Sequence, residues 1–389
     1  MRPTRAEVNL AALRHNLRVV SRHAGRAKVW PVLKADGYGH GAPAVARTLE
    51  RAGAEGFCVA LLEEAVELRD AGVRAPILVM GGYYGGAYDE LLARDVVPVV
   101  YDRSHLEGLA RAARQTGRPV DAHLKIDTGM ARLGVRMPEL EAFAATAANF
   151  PEIRISALMT HLACADEPAA TAAQVALFEE ATRRLARAGI APSIRHAANS
   201  AAILGGPALG APSASCTEHG APSASCTALF DAVRPGVAVF GVSPLARDLP
   251  DLRAAMRVRS EVVDLRAVAV GEPVGYGALF RAKRPTRIAT LPMGYADGLS
   301  RQLSNRGDVL VRGKRAPIVG AVSMDMSMID VTDIPDVSLR DEVVVLGAQE
   351  GPHGKDAITA EELATHAGTI AWEVLTSISR RVPRFYREP

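Results

Sequence analysis

Eight short apolar runs organise the first two thirds of this chain. They are Val29 to Leu33, Gly56 to Ala60, Ile77 to Met80, Val97 to Tyr101, Val120 to Ile126, Ile153 to Thr160, Ile194 to Ala197 and Val233 to Phe240. Each has the length of a buried strand, and helix-like segments such as Ala42 to Arg51, Ser104 to Gln115 and Ala170 to Ala188 lie between them. Strands that alternate with helices form parallel sheets, because each return crossing has to carry the chain back to the same edge. An open doubly wound sheet is the alternative. The strand count and the span favour a closed (β/α)8 TIM-type barrel, an α/β fold. Ahead of it, Arg5 to Leu10 alternates as a strand and Ala11 to His23 as an amphipathic helix.

The rhythm changes near Leu245. Arg257 to Val270, Thr286 to Met293, Asp308 to Val311, Ala316 to Val322, Met328 to Val331 and Glu342 to Leu346 are β-rich runs without long helices between them. A helix near Ala360 to Ala367 and an apolar segment from Ile370 close the chain. The expected organisation is a barrel over 11–244 followed by a mainly β C-terminal domain over 245–389. No Gly/Ser-rich or charged linker divides them, so the two should pack together.

At 389 residues the chain can bury two cores, and its 46 basic against 43 acidic residues leave a formal charge of only +3. That balance gives no reason to expect nucleic acid or an anionic membrane surface as partner. No window approaches a membrane span, and the N-terminus lacks a signal-like apolar core. Cys58, Cys164, Cys216 and Cys226 form no C-x-x-C pair and no metal grouping, so they read as reduced thiols in a cytoplasmic protein. G-A-P-S-A-S-C-T occurs at Gly210 and again at Gly220; this small, polar duplication is expected to be an exposed loop, with a thiol site at Cys216 and Cys226 as the minor alternative.

In a barrel of this kind chemistry belongs at the C-terminal strand ends. Polar groups interrupt those ends at Lys34, at Lys125 with Asp127, at His161, at Asn199 with Ser200, and at Arg234. Lys34 lies within W-P-V-L-K-A-D-G-Y-G-H-G, Trp30 to Gly41, where three glycines permit positive φ or close backbone approach. Asn199 and Ser200 stand before a helix start, where Ser200 reads equally as an N-cap or as a phosphate contact.

The Lys34 string resembles the cofactor-lysine motif of the alanine racemase family, and the resemblance returns along nearly the whole chain. It implies that Lys34 binds pyridoxal 5'-phosphate as a Schiff base and also acts as acid/base. H-L-K-I-D-T-G-M-A-R-L-G, His123 to Gly134, resembles the segment in which a lysine, often carbamylated, positions an arginine; here these are Lys125 and Arg132, the latter for the substrate carboxylate. T-H-L-A places His161 against the cofactor ring, and H-A-A-N-S-A-A places Asn199 and Ser200 by the phosphate. V-R-P-G-V-A-V-F-G implies Arg234 on the pyridine nitrogen, with the N–H groups of Gly236 and Val237 on the phosphate. Tyr38 is implied as a further cofactor contact.

In the second domain, V-G-Y-G-A implies Tyr276 as the second acid/base, and L-P-M-G-Y-A-D-G implies Tyr295 at the entrance. V-S-M-D-M-S-M-I-D implies a backbone N–H of Met324 for the substrate carboxylate, supported by Asp325. The resemblance further implies that residues 1–10 join the second domain, and that a homodimer shares its sites, each second domain closing the partner's barrel. Alanine is the implied substrate, in a cytoplasmic enzyme that supplies D-alanine for cell wall. Phe280, Ser323 and Arg380 stand where many relatives have Tyr, Cys and Tyr, and the loop between Ser200 and Arg234 is longer than usual. A broader amino-acid racemase, a non-catalytic cofactor-binding barrel and a barrel decarboxylase are the rival functions. Tyr276 with the second domain argues against the non-catalytic barrel, and Arg234 against the decarboxylase.

Overall fold

The structure is a computed structural model and describes residues 2–82, 85–205 and 230–388. The duplicated segment, with Cys216 and Cys226, lies outside the described residues.

Eight parallel strands run in the order Lys28–Val29, Ala232–Val233, Ile194–His196, Ile153–Met159, Val120–Asp127, Val97–Val100, Ile77–Val79 and Phe57–Val59. The ring closes. Val32 bridges Cys58 in parallel, with Cys58 N–H donating to the Pro31 carbonyl at 2.9 Å and Leu33 N–H to the Cys58 carbonyl at 2.8 Å. On the opposite edge of the same stretch, Trp30 and Val32 donate to Val233 and Pro235. Pro31 has no N–H, so one rung is missing there and the formal strand is short. This is a barrel, and the open sheet is excluded.

Helices Ala42–Arg51, Arg103–Thr116 and Pro168–Arg187 pack outside, as their periodicity predicts. Two runs are shorter than expected. Val233 to Phe240 is a strand only at Ala232–Val233; Pro235 and Gly236 break it, and Val237–Phe240 turns as a 3-10 helix. Ala316 to Val322 is a strand only at Lys314–Pro317, with a single bridge beyond it at Ile318.

The second domain is built on a seven-stranded sheet with a three-stranded sheet beside it. In the larger sheet, Arg5–Asn9 lies between Met256–Glu261, antiparallel, and the C-terminal strand Arg384–Arg387, parallel. Glu7 is 6% exposed at the centre of that pairing. Its carboxylate meets Arg259 at 2.7 Å, Arg387 at 2.7 Å, Arg5 at 3.0 Å and Arg257 at 3.3 Å. Glu7→Ala leaves these guanidiniums without their shared counter-charge. The expected loss is about 3 kcal/mol, the low end for breaking a buried ion pair because the arginines are partly solvated. Urea unfolding monitored by circular dichroism measures it.

Candidate active site

Lys34 opens a backbone turn of the wrong hand. Ala35, Asp36 and Gly37 lie at φ/ψ of 53/53, 55/44 and 60/48, and Tyr38 has φ 51. Left-handed backbone costs roughly 1–2 kcal/mol per non-glycine residue, so the turn persists only where its surroundings hold it. They do. Glu64 accepts the Ala35 N–H at 2.6 Å, and Asp36 Oδ1 accepts the Ala42 N–H at 2.8 Å. The His40 ring Nδ1 lies 3.1 Å from the Gly37 carbonyl and 2.9 Å from that of Tyr38, so it is the protonated, donating nitrogen. Burial keeps His40 neutral, pushing its pKa down to about 4.

The second domain presses on the same turn. Arg384 Nε donates to the Gly39 carbonyl at 3.0 Å, a Cβ on Gly39 would lie 2.3 Å from the Leu375 carbonyl oxygen, and one on Gly41 would strike the Tyr386 hydroxyl. Glycine is therefore required at both positions by space as well as by φ.

Around Lys34 the barrel mouth gathers cations. Burial, then Arg132, lowers the Lys34 pKa, with Glu64 opposing. Lys125 is pushed down to about 8, mainly by burial, then by Arg234, Arg132 and Lys34, against Asp127. His161 falls to about 3, by burial and then by the same four cations, so it is neutral. Arg132 is exposed at the mouth. Asp127 accepts the N–H groups of Gly129, Met130 and Ala131 on one oxygen, at 3.0, 3.0 and 3.1 Å, and so shapes the turn that carries Arg132.

Arg234 is 3% exposed. It binds the Thr160 carbonyl at 2.7 Å and also His196 Nδ1; His196 Nε2 in turn meets His123 Nδ1 at 2.9 Å. Burial lowers Arg234 to about 10, so it stays protonated at neutral pH. His123, at about 4, and His196, well below its ordinary value, are neutral because burial and the Arg234 charge both disfavour a second proton. His196 must accept from the guanidinium at Nδ1, which puts its own proton on Nε2, pointing at His123.

Asn199 caps the short helix Ser200–Leu204 by accepting the Ala202 N–H at 3.1 Å, so the cap is Asn199 and Ser200 is the first helical residue. Ser200 Oγ instead accepts the Gly236 N–H at 2.8 Å and that of Ala238 at 3.4 Å. Val237 begins the 3-10 helix behind them. The Tyr38 hydroxyl stands over Gly236, where a Cβ would lie 2.5 Å away; the Tyr38 ring packs on Phe240 at 5.1 Å, and burial raises its pKa to about 12.

The electrostatic neighbours thus join Lys34, Lys125, Arg132, His161 and Arg234 in one cluster. Tyr276 is not among the groups acting on them. It is 73% exposed in a turn of the second domain, where Leu279, Tyr295, Met324 and Met326 are each at least 43% exposed. Asp325 pairs with Arg381 at 2.7 Å, and Ala296 N–H donates to the Met324 carbonyl, tying the Tyr295 and Met324 turns together. Arg380 is exposed, 3.9 Å from Glu67. Sequence reading passed over Glu64, His123 and His196. Glu64 carried a signal, an acid at the third position of a helix. The histidines had only their place on barrel strands.

An amine of lowered pKa at a barrel strand end, ringed by Lys125, Arg132 and Arg234, suits a ligand carrying a carbonyl and anionic groups. The glycine at Gly236 and the Ser200 hydroxyl add a close-approach cradle of the kind phosphates use. Pyridoxal phosphate fits this donor set. The site suits a class: barrel enzymes that bind a carbonyl cofactor.

The alanine racemase N-terminal domain family matches residues 8–244, and the C-terminal domain family matches 255–386. An alanine racemase of Sorangium cellulosum is 60% identical over 399 residues, covering 100% of both chains. The structure of alanine racemase from Streptomyces coelicolor A3(2) superposes with TM-score 0.87 at 35% identity, covering 100% of this chain and 98% of that one. The alanine racemase from Bartonella henselae, solved with covalently bound pyridoxal phosphate, superposes at 0.83 with 30% identity over 100% of both chains. The chain belongs to the alanine racemase family, whose members are pyridoxal-phosphate-dependent isomerases.

Lys125 makes stability depend on pH. Its folded pKa, about 8, lies below the 10.5 of an unperturbed lysine. The burial penalty is therefore fully present below pH 8 and is relieved as pH rises towards 10.5, where only the unfolded chain still holds the proton. Lys125→Met is expected to stabilise the cofactor-free protein at pH 7 by about 3 kcal/mol, from a pKa lowered from 10.5 to about 8 at ~1.4 kcal/mol per pKa unit. It should also flatten the rise between pH 8 and 10.5. Urea midpoints across that range check it.

Proposed function

We propose that the protein interconverts L-alanine and D-alanine with two bases, Lys34 and Tyr276, on opposite faces of Cα. The observation that carries this reading is the lowered pKa of Lys34 at a barrel mouth rich in cations. When bound, pyridoxal phosphate supplies the carbanion stabilisation that lets Cα release its proton. Lys34 holds the cofactor, and its Nζ exchanges the Cα proton on the D face. The Tyr276 hydroxyl exchanges it on the L face. Arg132 grips the substrate carboxylate with its planar fork, aided by the Met324 N–H, and Lys125, as the carbamate that the family resemblance implies, would accept from Arg132 and orient it.

Arg234, protonated and anchored by His196 and Thr160, would face the pyridine nitrogen of the bound cofactor and, as a donor, would disfavour its protonation. That restrains the cofactor from side reactions that a carboxylate partner would favour. Asn199, Ser200 and the N–H groups of Gly236 and Val237 would hold the phosphate, with Tyr38 as a further cofactor contact. His161 lies against the ring, Tyr295 guards the entrance, and Arg381 steadies Asp325 beside Met324.

The exposure of Tyr276, Leu279, Tyr295, Met324 and Met326 in the second domain supports a homodimer in which each second domain closes the partner's barrel. No helix among the described residues is long and apolar enough to cross a membrane; a cytoplasmic enzyme supplying D-alanine for cell wall is the setting proposed. Purified holoprotein given either enantiomer of alanine decides the reaction by optical rotation. Decay to the racemate supports it, whereas no change, or release of amine, overturns it.

A further inference from the structure

We infer that Glu64 is a positioning residue for the Lys34 amine, acting through the left-handed turn that follows it. The inference rests on the reading of Lys34 as a base. A glutamate at the third position of a helix ordinarily caps its own N-terminus. Glu64 does so through Oε2, which accepts the N–H groups of Ala60 at 2.8 Å and Leu61 at 3.1 Å. Its other oxygen leaves the helix and accepts the N–H of Ala35, 29 residues earlier, at 2.6 Å.

That bond crosses from the end of strand Phe57–Val59 to the end of the strand beside it, at the residue after the lysine. Ala35 is also the first left-handed residue, the point where the chain could relax to the ordinary hand and swing the lysine away. One carboxylate therefore locks two strand ends and the direction in which Lys34 leaves the wall. His40 and Asp36 secure the rest of the turn, but they act beyond Ala35. Glu64 also brings negative charge to a lysine that otherwise faces Arg132, Lys125 and the neutral His161.

The test is Glu64→Gln, which keeps the shape and one accepting oxygen, with Glu64→Asp as a second variant too short to span both strand ends. In the holoenzyme, both should lower kcat/KM for alanine about tenfold or more, since slight misplacement of a reacting group is costly. Equilibrium forces equal losses in the two directions, so the deuterium isotope effect separates the bases. With Cα-deuterated D-alanine, whose proton goes to Lys34, the effect should rise; with the deuterated L enantiomer it should not. In cofactor-stripped full-length protein, the pH midpoint for acylation of the Lys34 peptide, read by mass spectrometry, should fall in Glu64→Gln, because an anion that favours the ammonium is gone.

Isotope effects that move together, or activity and midpoint unchanged with only a lower melting temperature, reduce Glu64 to a helix cap and overturn the inference. Persistence of turnover in Lys34→Ala marks a different failure, that of the base assignment itself.

Discussion

Lys34→Ala is expected to abolish racemisation, with a loss beyond about 10⁴-fold. A single positioned acid/base contributes roughly 10²–10⁴, and this lysine is also proposed to hold the cofactor, so the two losses compound. The chain should still fold. Lys34 opens onto the barrel mouth, shielded there from bulk water by the surrounding walls but filling no core position, and the turn behind it is held by Glu64, Asp36, His40 and Arg384. Unchanged circular dichroism with no conversion of either enantiomer is the expected pair of results. A small primary amine added to the variant should restore part of the rate, since it can occupy the space and take the proton. Turnover within tenfold of the parent would move the base to another residue.

Mixed dimers carrying Lys34→Ala on one chain and Tyr276→Phe on the other should recover up to about half the activity of the parent dimer, although either homodimer is nearly inactive. The reason lies in the arrangement of one chain. The groups acting on Lys34, Lys125 and His161 all come from the barrel, while Tyr276 is 73% exposed in the second domain. A two-fold pairing gives two equivalent sites, and in the mixed dimer one of them holds both native residues. Coexpression with two affinity tags isolates the heterodimer. A verified heterodimer as inactive as its parents would put Tyr276 in its own chain's site.

The sequence by itself determined the barrel and most of the residues at its mouth. Buried parallel strands are largely apolar, so each shows as a run, and a polar residue that ends or interrupts such a run marks the C-terminal rim. Lys34, Lys125, His161, Asn199 and Arg234 were all legible on that rule. Strand ends were less so: Pro235 and Gly236 stop a run that stays apolar to Phe240, because hydrophobicity reports burial and says nothing of hydrogen bonding.

What only the tertiary structure decided was how those residues are held. Glu64 lies 29 residues from the N–H it accepts, and His123 and His196 reach Arg234 across neighbouring strands. No local pattern encodes such pairings, since they depend on the barrel's register. The same is true of charge. Lys125 reads as an ordinary lysine along the chain, and it falls to a pKa of about 8 only because closing the barrel buries it beside Arg234, Arg132 and Lys34. Pattern follows from the identity of neighbours in sequence, whereas electrostatics follows from distance, and distance exists only in the folded chain.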